Sequence, residues 1–205
     1  MNTKNATFYH LILDKSGSMQ SCYKQTLSGL NEKFQSLKNT QIQNPEVPIY
    51  VSLTLFSNEA KTIFEFVPAS ELPEIKPNDY VLDGMTALCD AMGKVISRMK
   101  FQLSEIIQRD NADVMVVVFT DGHENASKHY THGEIGKLVL ELQNIGKWGF
   151  TFYGADIDAW DAASKMNFQQ SSVFSSKSKD VNETMLNMAS QLDYHVKIKN
   201  SFIKK

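Results

Sequence analysis

Several side chains that could do chemistry in this chain carry oxygen, and they occur in short, closely spaced groups. Asp14, Ser16 and Ser18 alternate along one stretch of the sequence. In an extended loop, alternate side chains project to the same side, and Gly17 between the two serines permits a tight backbone path. Oxygen-bearing side chains of this kind suit a hard divalent cation.

Two further segments carry oxygen at comparable places. Asp121 follows an apolar stretch, and Thr86 lies on a glycine-containing loop before a predicted helix. Oxygen donors without Cys or His favour Mg²⁺, Mn²⁺ or Ca²⁺ over zinc. Two buried carboxylates side by side repel each other, so they require protons, a cationic partner or a bridging metal ion. Taken alone, the stretch from Asp14 to Ser18 could equally cap a helix; with Thr86 and Asp121 added, a metal site is favoured.

The elements that must bring these groups together are predicted from hydrophobic patterns. Phe8 to Leu13 is a nearly continuous apolar run that ends at Asp14, and Asp113 to Thr120 is a β-branched run that stops at Asp121. Both runs are typical of strands buried on both faces of a parallel sheet. Parallel strands end at a common edge, where doubly wound folds bind their ligands. We therefore expect Asp14 and Asp121 to lie close together.

Strands and helices alternate along the rest of the chain. Ile49 to Phe56 and Thr62 to Val67 predict two strands with a short connection, so one edge strand should be antiparallel. The other predicted elements are a helix from Met19 to Leu37, a loop from Asn39 to Pro48, a helix marked by Leu88 to Met99, a helix from a capping box at Thr131–Glu134 to Gly146, a strand from Phe150 to Tyr153, a helix near Asp158, a short strand around Ser172 to Phe174 and a last helix opened near Asp180.

This alternation predicts one α/β domain over residues 1–205, with a core from about residue 6 to 195 and short polar termini. The expected architecture is a doubly wound, mostly parallel six-stranded sheet with one antiparallel edge strand and helices on both faces.

The order of the oxygen-bearing motifs resembles that of the von Willebrand factor type A (vWA) domain, in particular of stand-alone bacterial proteins of that type. The motifs are Asp-x-Ser-x-Ser after the first strand, a Thr on a later loop and Thr-Asp-Gly after the fourth strand, and they span nearly the whole chain. The resemblance implies a Rossmann-like fold with a metal-ion-dependent adhesion site (MIDAS) formed by Asp14, Ser16, Ser18, Thr86 and Asp121. It also implies that the two serines are direct ligands, that the threonine joins them when a partner is engaged, and that the two aspartates act largely through water. Met85 stands where the family usually has a small residue before the threonine.

A divalent ion held by neutral hydroxyls keeps much of its positive charge, so an open coordination position would attract a carboxylate. We therefore predict a metal-dependent protein-binding module and not an enzyme, whose partner presents Asp or Glu to one Mg²⁺, Mn²⁺ or Ca²⁺ ion. The main alternative is a Mg-dependent phosphotransfer or hydrolytic enzyme on a similar fold. That chemistry requires a nucleophile or base beside the ion, and such sites usually have a second Asp where Ser16 stands. A scaffold that works without metal is a third alternative.

Charge and length argue against other classes of protein. The net charge of -2 offers no broad attraction for nucleic acid or anionic lipid. The sequence has no apolar run long enough for a signal peptide or a membrane span, so we expect a cytoplasmic protein.

Other chemically capable residues have structural interpretations. Cys22 and Cys89 are expected to be buried small hydrophobes, and His10 a core histidine. The aromatic stretch from Trp148 to Tyr153 predicts core packing and not a surface on which bases stack. In the polar segment after Asp121, we expect solvent-exposed histidines at His123, His129 and His132. Glu124 and Asn125 of the same segment are expected to border the metal site.

Overall fold

The computed structural model describes residues 1–155, 157–177 and 180–203, and between residues 182 and 190 it describes the backbone alone. The strands in these residues are β1 (Thr7–Asp14), β2 (Ile49–Phe56), β3 (Ala60–Pro68), β4 (Asp113–Thr120), β5 (Trp148–Ala155) and β6 (Val173–Ser176). The helices are α1 (Tyr23–Gln43), α2 (Leu88–Asp110), α3 (His132–Asn144), α4 (Ala159–Ser164) and α5 (Val181–Ile203).

The strands form one six-stranded sheet in the order β3-β2-β1-β4-β5-β6. The β2–β3 pair is antiparallel, and the other four pairs are parallel. The predicted fold class, with one antiparallel edge strand, is therefore confirmed. Strands β1 and β4 are neighbours in register, with Leu13 beside Phe119. Consequently Asp14 and Asp121 emerge at the same edge of the sheet.

Helices cover both faces of the sheet, as expected for a doubly wound fold. Helices α2, α3 and α4 bury their apolar sides against one face, where Ile12, Val116 and Phe152 are fully buried. Helices α1 and α5 bury theirs against the other face, over Leu11 and Val117. Both faces of the central strands are thus removed from water, which explains their continuous apolar runs.

Helix α1 differs from the prediction at both ends. The chain forms a 3-10 turn over Gly17–Ser21, and the α-helix begins only at Tyr23. At the other end, the predicted loop from Asn39 to Pro48 starts too early, because the helix continues to Gln43 and only residues 44–48 form the loop. Side chains extend it: the Asn44 amide donates to the Thr40 carbonyl, and the Gln41 amide oxygen accepts from the N–H of Ile49.

Helices α2 and α3 begin near the predicted positions. The capping box at Thr131 and Glu134 is confirmed: the Thr131 hydroxyl accepts from the Glu134 N–H, and the Glu134 carboxylate accepts from the Thr131 N–H. Helix α2 runs past Met99 to Asp110, where Asn111 ends it in a left-handed conformation with φ 52°. Over the described residues, none of the helices combines the length and apolar character that crossing a bilayer requires.

Candidate metal centre

The carboxyl ends of β1 and β4 and the loop before α2 meet at one edge of the sheet. Asp14 is the last residue of β1, Asp121 directly follows β4, and Thr86 precedes α2. The Gly17 N–H donates to the Gly84 carbonyl at 3.1 Å, which joins the loop after β1 to the loop before α2. Segments far apart in sequence are therefore connected by hydrogen bonds at the place where the sequence predicts a site.

Asp14 lies beneath this edge and holds the first loop in place. Its side chain is fully buried; Oδ1 accepts from the Ser16 N–H at 2.7 Å, and Oδ2 accepts from the Thr120 hydroxyl at 2.5 Å. Burial raises the pKa of Asp14, while the hydrogen bonds from Thr120 and Ser16 act in the opposite direction. A carboxylate in such a position is stabilised by any nearby cation.

Above Asp14, three oxygen-bearing side chains form a chain of contacts. The Oγ atoms of Ser16 and Ser18 are 3.1 Å apart, and the Ser18 hydroxyl donates to Asp121 Oδ1 at 2.6 Å. Ser16 and Asp121 are buried, whereas Ser18 is exposed. The cluster therefore reaches from the interior to the surface, where a partner could approach it.

The hydroxyl of Thr86 joins the same cluster beside Gly122. A Cβ built on Gly122 would lie only 2.8 Å from Thr86 Oγ1 and 3.2 Å from Ser18 Oγ. Both hydroxyls therefore occupy the space that a side chain at residue 122 would need. The structure brings Ser16, Ser18, Thr86 and Asp121 together at this edge, with Asp14 behind them.

The loop of Thr86 is fixed by the segment that follows Asp121. The Thr86 N–H donates to the Asn125 side-chain oxygen at 2.9 Å, and the Asn125 N–H donates to the Thr86 carbonyl at 3.1 Å. The Glu124 carboxylate accepts from the backbone N–H groups of Cys89, at the start of α2, and of Ala126. Burial opposes the ionisation of Glu124, but these backbone hydrogen bonds lower its pKa. Glu124 and Asn125 thus support the Thr86 loop.

A second set of contacts fixes the loop from the other side. The Lys15 ammonium and the Ser57 hydroxyl both donate to Asp83 Oδ1, at 2.6 and 2.5 Å. The hydrogen bond from Lys15 lowers the pKa of the Asp83 carboxyl. Gly84 has a φ of 65°, a left-handed conformation that glycine adopts without strain. The loops around the candidate site are therefore preorganised.

Two residues that orient Asp14 were not predicted from the sequence. Thr120 donates its hydroxyl to the carboxylate, and Tyr80 donates its hydroxyl to the Asp14 backbone carbonyl at 2.7 Å. The position of Thr120, directly before Asp121, was the available signal. Nothing in the local sequence around Tyr80 indicates a contact with a residue so far away in the chain.

The histidines and cysteines differ in their exposure to solvent. His123 and His129 are exposed and His132 is half-buried, while Cys22 and Cys89 are buried. The core interpretation of His10 is confirmed: its Nε2 lies 2.8 Å from Thr54 Oγ1, and burial lowers its pKa to about 3. The aromatic stretch beginning at Trp148 is buried as well.

The donor chemistry of the cluster suits a hard cation. Three hydroxyls and two carboxylates supply oxygen only, which is the ligand type that Mg²⁺, Mn²⁺ and Ca²⁺ prefer. Among the described residues there is no group of three or more His, Cys, Asp or Glu side chains arranged to hold a metal. Neutral hydroxyls thus outnumber carboxylates at this edge.

Comparisons with known families and structures support the fold described above. Residues 10–202 match the family model of the von Willebrand factor type A domain. A comparison with curated proteins finds no match.

Solved structures similar to this chain include three vWA-type proteins. One is the ArnB paralog VWA2 from Sulfolobus acidocaldarius, with 19% identity and a TM-score of 0.61, covering 89% of this chain and 44% of that one. The second is proximal thread matrix protein 1 from the mussel byssus, with a zinc-occupied MIDAS motif, 13% identity and a TM-score of 0.61, covering 94% of this chain and 47% of that one. The third is the vWF domain of the type V pili tip protein Mfa5 from Porphyromonas gingivalis, with 8% identity and a TM-score of 0.66, covering 94% and 97%. At these identities the likeness establishes the fold alone, and this chain spans less than half the length of the first two.

Proposed function

The chain belongs to the von Willebrand factor type A domain family, and from that premise we propose that it is a metal-dependent protein-binding module. In this proposal, one divalent cation held by Asp14, Ser16, Ser18, Thr86 and Asp121 engages an Asp or Glu side chain of a partner protein. The observation that carries it is the convergence of three hydroxyls, from two separate segments of the chain, beside the Asp121 carboxylate of a third segment.

The residues divide into two roles. Ser16, Ser18 and Thr86 would supply hydroxyl oxygens, the first two directly and Thr86 when the partner is bound. Asp14 and Asp121 would act largely through water, and the contacts of Asp14 with Ser16 and Thr120 fit a residue that fixes the loop. A bound cation supplies a positive charge that attracts a carboxylate, and neutral hydroxyl ligands leave most of that charge available.

We propose Mg²⁺, Mn²⁺ or Ca²⁺ as the ion, since all the donors are oxygen. The mussel protein with a zinc-occupied MIDAS motif is a reason to include Zn²⁺ in any measurement. The proposed role is binding and not catalysis. A hydroxyl, and not a second carboxylate, stands at Ser16, where a phosphatase-like site would usually place Asp.

Metal binding itself is the first test. Isothermal titration of the chain with Mg²⁺, Mn²⁺, Ca²⁺ and Zn²⁺ should show one site for at least one of these ions. Ser16→Ala should lose that site, because the residue is buried inside the cluster. Ser28→Ala is the matched control, since Ser28 is exposed on α1 and its hydroxyl donates to Glu32 of the same helix. Equal affinity in both variants would overturn the proposed ligand set.

Partner binding is the second test. The immobilised chain should capture proteins in the presence of the ion identified above and release them in EDTA. Asp14→Ala should capture none of the EDTA-released proteins, and Ser28→Ala should capture all of them. Capture that persists in EDTA and in Asp14→Ala would show that recognition does not pass through a metal.

A further inference from the structure

A cavity of about 850 Å³ lies at the end of the sheet opposite the candidate metal centre. Its walls are the first residues of β4 and β5, the C-terminal half of α5 and the segment before β1. Strand β4 has eight residues, so at about 3.3 Å per residue the two ends of the sheet are roughly 23 Å apart. The cavity is therefore a separate site, and its volume is within the range of small-molecule pockets.

The charged residues of this cavity are mostly basic. Lys4, Lys147 and Lys199 line it, against one carboxylate, Asp113. The Lys199 ammonium donates to Asp113 Oδ2 at 2.6 Å and to the Ala6 carbonyl at 2.9 Å, so these two charges compensate each other.

Two lysines at the cavity keep their charge uncompensated. The Lys147 ammonium donates to the side-chain oxygen of Asn111, a neutral acceptor, at 2.6 Å. In the part of the chain that the structure describes, no ion pair includes Lys4 or Lys147. The cavity therefore has a net positive charge, which favours an anion.

The same cavity presents an apolar surface. Trp148 and Met115 line its interior, and Ile198 and Phe202 of α5 lie along it. Phe202 is 70% exposed and Ile198 is 40% exposed. The two residues are four apart on one face of the helix, so they form a continuous apolar strip. Contact with an apolar ligand would remove these side chains from water and so stabilise the complex.

From this combination we propose that the cavity binds a small organic anion with an aromatic or aliphatic body. The acidic group of the ligand, a carboxylate or sulfonate, lies between Lys4 and Lys147. Its apolar body lies against Trp148, Ile198 and Phe202. This site is independent of the candidate metal centre and does not rest on the proposed function.

The test uses 8-anilinonaphthalene-1-sulfonate, a fluorescent aromatic anion, as the probe. The chain has two tryptophans, and Trp160→Phe leaves Trp148 as the only one; Trp160 is partly exposed on α4, so the change should be tolerated. Titration of this variant should show saturable binding of one probe per chain, with loss of Trp148 emission and energy transfer to the probe. Absence of saturable transfer from Trp148 would overturn the proposal.

Charge and apolar variants in the same background locate the probe. Lys147→Glu should weaken binding by up to about fivefold, the effect of losing one partly exposed ion pair. Phe202→Ala should also weaken it, since the apolar strip is shortened. Lys61→Glu is the matched control, because Lys61 is exposed on β3, at the far edge of the sheet. Equal binding in Lys147→Glu and Lys61→Glu would contradict the site.

Two further measurements exclude trivial explanations. Thermal melts must show that each variant is folded, since the probe also binds partly unfolded chains. Competition should show that 1-naphthoate displaces the probe while its neutral counterpart, 1-naphthalenemethanol, is weaker by up to about fivefold. Equal displacement by both compounds would overturn the anion preference. Asp14→Ala and EDTA should leave probe binding unchanged, whatever their effect at the metal centre.

Discussion

Replacing Thr120 by valine tests whether a hydroxyl beneath the candidate metal centre holds that centre together. The Thr120 hydroxyl lies 2.5 Å from Asp14 Oδ2 and accepts from the Gly122 N–H at 3.1 Å. Valine has nearly the same shape but can neither donate nor accept. The variant therefore leaves a buried carboxylate oxygen and the Gly122 amide without this partner.

The cost can be estimated from these contacts. A hydrogen bond to a charged group contributes roughly 1.5–3 kcal/mol. In a chain of 205 residues, each kcal/mol corresponds to about 2–4 °C in Tm. We therefore expect the Tm of Thr120→Val, measured by scanning calorimetry in EDTA, to fall by about 3–12 °C. Affinity for Mg²⁺ should also fall, by about 10–100-fold, as is usual when a residue that orients a ligand is removed.

Thr7→Val provides a matched control. Thr7 is fully buried at the start of β1, and among the described residues its hydroxyl has no hydrogen-bond partner. Removing such a hydroxyl is expected to be neutral or stabilising, with no effect on Mg²⁺ affinity at the other end of the strand. If Thr120→Val keeps the wild-type Tm, or loses no more than Thr7→Val, the reasoning is refuted.

Three further predictions concern the core and the metal centre. Lys33 is fully buried on α1, with its ammonium 4.7 Å from the centre of the Tyr9 ring and no hydrogen-bond partner among the described residues. Burial lowers its pKa well below the usual value, so the free energy of unfolding should rise with pH up to the ordinary lysine pKa. In urea unfolding, Lys33→Met should remove this pH dependence and raise the free energy of unfolding by roughly 1–3 kcal/mol. A gain no larger than that of the exposed control Lys24→Met would contradict this. Burial lowers the pKa of His10 to about 3 in the folded chain, so the folded state excludes a proton that the unfolded state binds below about pH 6.5. Between pH 6.5 and 5, the free energy of unfolding of the wild type should therefore fall by about 1.5–2 kcal/mol more than that of His10→Gln. Parallel pH profiles of the two proteins would contradict this prediction. Gly122→Ala removes no oxygen but places a methyl group 2.8 Å from Thr86 Oγ1. The affinity for Mg²⁺, measured by titration calorimetry, should therefore fall with little change in Tm. Unchanged affinity would show that metal binding does not depend on the space beside Thr86.

The parts of the fold that the sequence predicts best are those set by local patterns. The apolar runs of β1 and β4 follow from burial of both faces, and the start of α3 follows from the capping box at Thr131. The C-terminal end of α1 was missed because it depends on Gln41, whose side chain reaches across the turn to the N–H of Ile49. Such a contact exists only once helix and strand are packed together.

In the candidate site too, local patterns predict some residues, whereas the roles of others depend on long-range contacts. Asp14, Ser16 and Ser18 could be predicted together because they are close in sequence, and Asp121 because parallel strands end at a common edge. The roles of Thr120, which contacts Asp14 across 106 positions, and of Tyr80, across 66, depend on the packed structure. Lys33 illustrates the limit most clearly: helical spacing puts it on the same face as the buried Leu30 and Leu37, but nothing in the sequence indicates that a lysine at this position is fully buried.

The most direct test of the central claim is a crystal of the chain soaked in Mn²⁺ and measured at a wavelength where manganese scatters anomalously. We expect a single anomalous peak at the cluster of Ser16, Ser18, Thr86 and Asp121, and loss of that peak in Ser18→Ala. An ordered cluster of these side chains without anomalous density, or a peak only elsewhere in the molecule, would contradict it.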